Sequence, residues 1–130
     1  MNQSSSRACL EEQSARVRAG GYWNCLNAAR EIARLLLAEG RSPWIARLRK
    51  TELRGEDVFH APLIPRGLPN QLAWTTHYVC CCDGLAYDPV AGLPVPLEAY
   101  SLEVFGQRIP MEVFVSTAEL PAYFVDEKIK

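Results

Sequence analysis

Histidine is scarce in this chain. His60 and His77 are the 2 histidines among 130 residues, so chemistry that needs an imidazole has two places to find it. No Cys-x-x-Cys pair occurs, which removes a common spacing of zinc and dithiol sites. No apolar run reaches about 20 residues, so no segment reads as a membrane-spanning helix. Neither sign of charge is in excess: 14 basic residues stand against 15 acidic ones. That balance gives no bulk attraction to nucleic acid or to a membrane surface. The densest basic cluster, Arg47, Arg49 and Lys50, alternates along a predicted strand and reads as a solvated face. The first residues, MNQSSSRACLEEQ, lack the apolar core of a signal peptide. The expectation is a cytoplasmic protein, or one exported without a cleaved signal. Internal repeats, low-complexity stretches and a second domain are also missing.

What is present suits one globular domain over residues 1–130, long enough to bury a core without staples. The 5 cysteines are an odd number, and Cys80, Cys81 and Cys82 are consecutive. Neighbouring strand residues point to opposite faces, so this run fits no simple disulfide framework. Free thiols in a reducing compartment are expected.

The chain is organised around residues 20–40, GGYWNCLNAAREIARLLLAEG. Leu26, Ala29, Ile32, Ala33, Leu36 and Leu37 recur at intervals of three and four, which predicts a helix with one apolar stripe. Gly40 suits its C-terminal stop, and Asn24 its N-cap. Cys25 then falls in the first turn, where free N–H groups and the positive end of the helix dipole converge. A thiolate is stabilised there and becomes a nucleophile near neutral pH. The same position also suits a small apolar residue tucked under the helix.

Before this helix, Ser6 to Ala19 predicts a thinner one, with Leu10 and Val17 two turns apart. After it, Pro43 to Leu53 alternates imperfectly and predicts a strand. Asp57 to Ile64 predicts a second strand, with Pro62 placing it at an edge or near its end. Residues 72–83 and 85–89 form the clearest hairpin, since Asp83-Gly84 is a favoured two-residue turn. Val90 to Pro96 reads as loop, Leu97 to Tyr100 as a helical turn, and Arg108 to Ser116 as a strand. Ser116 and Glu119 resemble a capping box for a short helix from Thr117. Helices followed by strands predict an α+β fold, with an antiparallel sheet packed on the Cys25 helix.

A nucleophilic cysteine needs a base, and the base needs an orienting group. With Asp83-Gly84 as the turn, Cys82 pairs with Leu85, Cys81 with Ala86, Cys80 with Tyr87 and Val79 with Asp88. Alternation puts His77, Val79 and Cys81 on one face, and Asp88 shares it. His77 and Asp88 become diagonal neighbours about 7–8 Å apart, within reach of a side-chain hydrogen bond. The turn sets this register. Cys25 would attack an acyl carbon, His77 would take the thiol proton and return it to the leaving amine, and Asp88 would fix the ring's tautomer. The Cys25 N–H is a natural oxyanion donor. A second donor is sought among Trp23, Tyr22 and Asn24. A packed strand histidine and an Asp-Pro turn former are the plainer readings of His77 and Asp88.

The order of a cysteine helix, a histidine strand and an aspartate strand resembles the papain-like cysteine peptidase superfamily. The closest branches are the transglutaminase-like proteins and bacterial papain-fold toxins. The segments WNCLNAA (Trp23–Ala29), HYV (His77–Val79) and DGLAYDP (Asp83–Pro89) carry the likeness, across roughly the middle half of the chain. It implies a papain-like, transglutaminase-like fold, with Cys25 as nucleophile, His77 as base and Asp88 as orienter. It also implies a thioester intermediate, no cofactor, and a peptide or protein amide as substrate. The chain departs from the pattern in two places. Tyr78, Val79 and Cys80 stand where Trp and Glu commonly follow the His. No glutamine precedes the cysteine closely, where Arg18, Ala19, Gly20 and Gly21 lie.

Two other readings compete. His60, His77, Cys25 and Cys80–Cys82 supply soft metal ligands, but three adjacent strand cysteines do not converge on one tetrahedral ion, so no metal is expected. The second is a catalytically inactive papain-like binding module. Thiol reactivity separates it from an enzyme.

Overall fold

A computed structural model describes residues 4–20, 23–66 and 74–113. Helix α1 spans Ser5–Ala19 and α2 spans Cys25–Ala38. Strands β1 (Trp44–Leu48), β2 (Lys50–Arg54), β3 (Asp57–Ala61), β4 (His77–Cys82), β5 (Leu85–Tyr87) and β6 (Val95–Pro96) follow, then α3 (Leu97–Phe105) and β7 (Met111–Val113). Among the described residues, the main sheet has the order β6-β5-β4-β1-β7, and every pairing in it is antiparallel. A separate two-stranded sheet joins β2 and β3. The fold is α+β.

Helix α2 forms where its apolar stripe predicts, except that Leu37, expected in that stripe, is exposed. Leu26, Ala29, Ile32, Ala33 and Leu36 are buried against Ile45, Cys80, Cys82 and Tyr87. Helix α1 lies over α2 and buries Ser6, Leu10, Ser14 and Val17, one side at intervals of three and four. Glu39, the C-cap of α2, holds the start of α1. Its carboxylate accepts from the Ser6 N–H and hydroxyl, both at 2.9 Å. A negative charge there complements the α1 dipole. The opposite face of the sheet is covered by Leu63 and by Tyr100, Val104 and Phe105 of α3, which pack on Val79, Cys81 and Ala86.

Strand β4 is therefore buried on both faces, and a strand so placed reads as a continuous apolar run rather than an alternating one. This accounts for the three cysteines, whose small side chains face α2 (Cys80, Cys82) and α3 (Cys81). All five cysteines are free.

The sequence reading needs correction in several elements. The hairpin strands are His77–Cys82 and Leu85–Tyr87 rather than 72–83 and 85–89, and the strand expected from Arg108 begins at Met111. The single strand expected over Pro43 to Leu53 is two, split at Arg49, because the apolar pattern stops at Leu48 and the polar β2 leaves the core for its own hairpin. The strand expected over Asp57 to Ile64 ends at Ala61, before Pro62. The Val90 to Pro96 loop contains β6, where Pro96 sits at the sheet edge. The turn at Leu97 continues to Phe105, until Gly106 ends it with a φ of 73°. The helix expected from Thr117 lies outside the described residues. Among the described residues, no helix is long and apolar enough to cross a membrane.

Candidate active site

The first turn of α2 is set by Asn24, whose side-chain oxygen accepts from the Asn27 N–H at 3.0 Å. Cys25 follows as the first helical residue and is half-buried. The hairpin supplies the other two groups. Asp83 and Gly84 have φ of 52° and 76°, both left-handed, as a tight turn between twisted strands requires. The register is Cys82 with Leu85, Cys81 with Ala86, and Cys80 with Tyr87. The ladder stops there, one pair short of Asp88. His77 and Asp88 nonetheless meet: Nε2 lies 2.8 Å from Oδ2, and both side chains are 0 % exposed.

Asp88 is held from three sides. Oδ2 also accepts from the Tyr100 hydroxyl, and Oδ1 accepts from the Val90 N–H at 2.9 Å. Burial alone would push this carboxyl up. The His77 charge and hydrogen bond, with those from Tyr100 and Val90, hold it below the usual range. A carboxylate only accepts, so Nε2 is the ring nitrogen that carries the proton in the neutral ring.

That leaves Nδ1 for the thiol. Nδ1 is buried without a partner at regular hydrogen-bond geometry, yet the Cys25 thiol is coupled to this ring by charge and by a side-chain hydrogen bond. Sulfur and ring are therefore neighbours that influence each other's charge without a full hydrogen bond between them. Burial would raise the Cys25 pKa, but the His77 charge, the His77 hydrogen bond and the Tyr78 N–H outweigh it and leave it lowered. Burial would likewise lower the His77 pKa, but Asp88 and Cys25 raise it to about 10.

Rings enclose the imidazole. Trp74 stacks on it at 4.6 Å between centroids and 24° between planes, and Phe105 meets it edge-on at 5.6 Å. Trp23 is 6.3 Å away, and its indole N–H donates to Gln13 Oε1 at 2.9 Å. Of the expected second oxyanion donors, the Trp23 indole N–H donates to Gln13, the Asn24 side-chain oxygen caps α2 in a bond that does not involve its amide N–H groups, and Tyr22 lies outside the described residues. The sequence reading missed Tyr100, Trp74, Phe105 and the Tyr78 N–H. Trp74, three residues before His77, and Tyr78, directly after it, were the signals close in sequence.

The remaining cysteines differ from Cys25. Burial pushes the thiols of Cys80, Cys81 and Cys82 up. His60 sits on the exposed β3, with Nδ1 3.3 Å from the Thr51 hydroxyl. Among the described residues, no three His, Cys, Asp or Glu side chains are arranged to hold a metal ion. The basic cluster is paired: Arg47 and Arg49 each reach Glu112 at 3.1 Å, and Lys50 reaches Gln107 at 2.8 Å. A groove of about 620 Å³ between α1 and α2 is lined by Cys9, Gln13, Trp23, Asn24, Asn27 and Glu31 among others. It borders the site at Trp23 and Asn24 without reaching Cys25 or His77, so side-chain geometry rather than this cavity locates the chemistry.

Compared with protein-family models, curated proteins and solved structures, the chain matches none of them.

Proposed function

We propose that this chain is a thiol-dependent acyl-transfer enzyme of papain-like, transglutaminase-like type, acting on an amide bond. The observation that carries the reading is the linked series Asp88–His77–Cys25. A buried carboxylate fixes one ring nitrogen, the other faces a cysteine at a helix start, and that cysteine has a lowered pKa. Among the cysteines with a shifted thiol, Cys25 alone moves toward the thiolate, while Cys9 and Cys80–Cys82 move away.

In the reaction, the Cys25 sulfur attacks the amide carbon and His77 holds the thiol proton. The Cys25 backbone N–H, at the positive end of α2, stabilises the oxyanion. His77 then gives its proton to the departing amine, which leaves a thioester on Cys25. Water or a second amine resolves the thioester, and His77 accepts the proton released by that nucleophile. Asp88 stays ionised and balances the imidazolium. Trp74 and Phe105 keep water from the ring and strengthen that attraction.

Iodoacetamide at about pH 6 tests the reading, because a low-pKa thiol alkylates there and an ordinary one does not. Peptide mapping should find the label on Cys25 and leave Cys80–Cys82 unmodified. His77→Ala should slow Cys25 labelling by about tenfold or more, one pKa unit being a factor of ten. Labelling of Cys25 only in the ordinary thiol range, unchanged by His77→Ala, would instead support an inactive binding module.

A further inference from the structure

Tyr100 lies on α3, the helix on the far side of the sheet from α2. It is fully buried, and its hydroxyl donates to Asp88 Oδ2. A buried phenol needs an acceptor, and a backbone carbonyl commonly serves. Here the acceptor is the same oxygen that receives His77 Nε2 at 2.8 Å. The other carboxylate oxygen is taken by the Val90 N–H, so rotation of the Asp88 carboxylate would break bonds at both ends.

We infer that Tyr100 is a positioning residue: it shares Asp88 Oδ2 with His77, fixes the carboxylate against the ring, and sets how strongly that carboxylate draws on the imidazole proton. For its catalytic consequence the inference rests on the acyl-transfer reading; for its geometry it does not. Two donors on one oxygen divide its negative charge. The more the phenol draws, the less reaches the imidazole, and the less Asp88 opposes the thiolate of Cys25. The titratable groups around Asp88 are His77 and Cys81 from β4, Cys25 from α2 and Tyr100 itself. Burial and Asp88 push the Tyr100 phenol well above its ordinary range, so it remains a donor wherever the site works. Tyr100 also meets Phe105 edge-on at 6.3 Å, and Phe105 meets His77, so one helix supplies both the carboxylate's donor and the ring's wall.

The test compares Tyr100→Phe, which keeps the ring and removes the donor, with 3-fluorotyrosine at position 100, which makes a stronger donor. Imidazole nitrogen NMR follows His77, and iodoacetamide labelling of Cys25 across pH follows the thiol. Tyr100→Phe should raise the His77 pKa. It should also move the acid limb of Cys25 labelling up by about half a unit, roughly a threefold slower reaction below that limb. The fluorinated residue should move both in the opposite sense, and it serves alone if the Phe variant does not fold. A purely structural Tyr100 would leave both titrations at their wild-type positions in the two variants, and that result overturns the inference. An ordinary alkaline profile for wild-type Cys25 is a separate outcome: it overturns the acyl-transfer reading and the catalytic consequence of Tyr100 with it.

Discussion

His77 carries a conflict that its neighbours resolve. A fully buried imidazole should shed its proton readily, because burial disfavours charge. Asp88 at 2.8 Å and the Cys25 thiol reverse that and raise its pKa to about 10. The stacked Trp74 face adds attraction for the cationic ring. Replacing Asp88 with Asn removes the charge and keeps a side chain of the same shape. Asp88→Asn should therefore lower the His77 pKa until the ring loses its charge, a loss that outweighs the relief of direct Asp88 repulsion, raises the Cys25 pKa and slows iodoacetamide labelling at about pH 6 by roughly tenfold. Asp88→Ala should in addition lower the melting temperature. It strands His77 Nε2 and the Tyr100 hydroxyl in the interior, at about 1–3 kcal/mol for each unpaired group. The two variants then separate charge from packing. The meeting of His77 and Asp88 was legible in the sequence because one turn, Asp83-Gly84, sets both positions. Tyr100 was not legible, because it arrives from another element and no local pattern links a helical tyrosine to a distant carboxylate.

At the scale of elements, the nucleophile depends on how α2 begins. The Asn24 side chain caps the Asn27 N–H and its carbonyl accepts from the Ala28 N–H, which fixes the turn that holds Cys25. Loss of such a cap costs about 1 kcal/mol. Asn24→Ala should then lower the melting temperature by about 4 °C. It should also slow Cys25 labelling at about pH 6, since a frayed first turn no longer aims the sulfur at His77. Labelling that stays at the wild-type rate while the melting temperature falls would show that the sulfur is placed by the sheet instead. Helix α2 was legible because stripe, cap and stop agree. The course of residues 43–54 was less so. Alternation marks Trp44 to Leu48 as a strand, but it does not say that Lys50 pairs with a different neighbour. Helix α3 was read too short because LEAYSLEVF mixes buried Tyr100, Val104 and Phe105 with an exposed Leu102, which blurs its stripe.

Across the whole molecule, two helical layers clamp one sheet, and the three candidate residues meet where both layers touch β4. Site and fold therefore share their protons, and stability across pH should report it. His77 has its pKa raised from 6.5 to about 10. Its contribution to stability is full below the unfolded value and declines as pH rises toward the folded one. Cys25 has its pKa lowered, so its contribution is full above the unfolded thiol value of about 8.5 and declines as pH falls. Between about pH 6.5 and 8.5 the two slopes oppose each other, because the proton that the imidazole gains on folding is the one the thiol gives up. The wild-type melting temperature should therefore change less steeply across that interval than it would without the thiol. Cys25→Ser removes the thiol and leaves the His77–Asp88 pair, so its melting temperature should fall as pH rises through the same interval. The underlying slope is at most about 1.4 kcal/mol per pH unit, the value for one uncompensated proton. Parallel pH profiles for the two proteins would mean that sulfur and imidazole do not share a proton, and the acyl-transfer reading would lose its nucleophile.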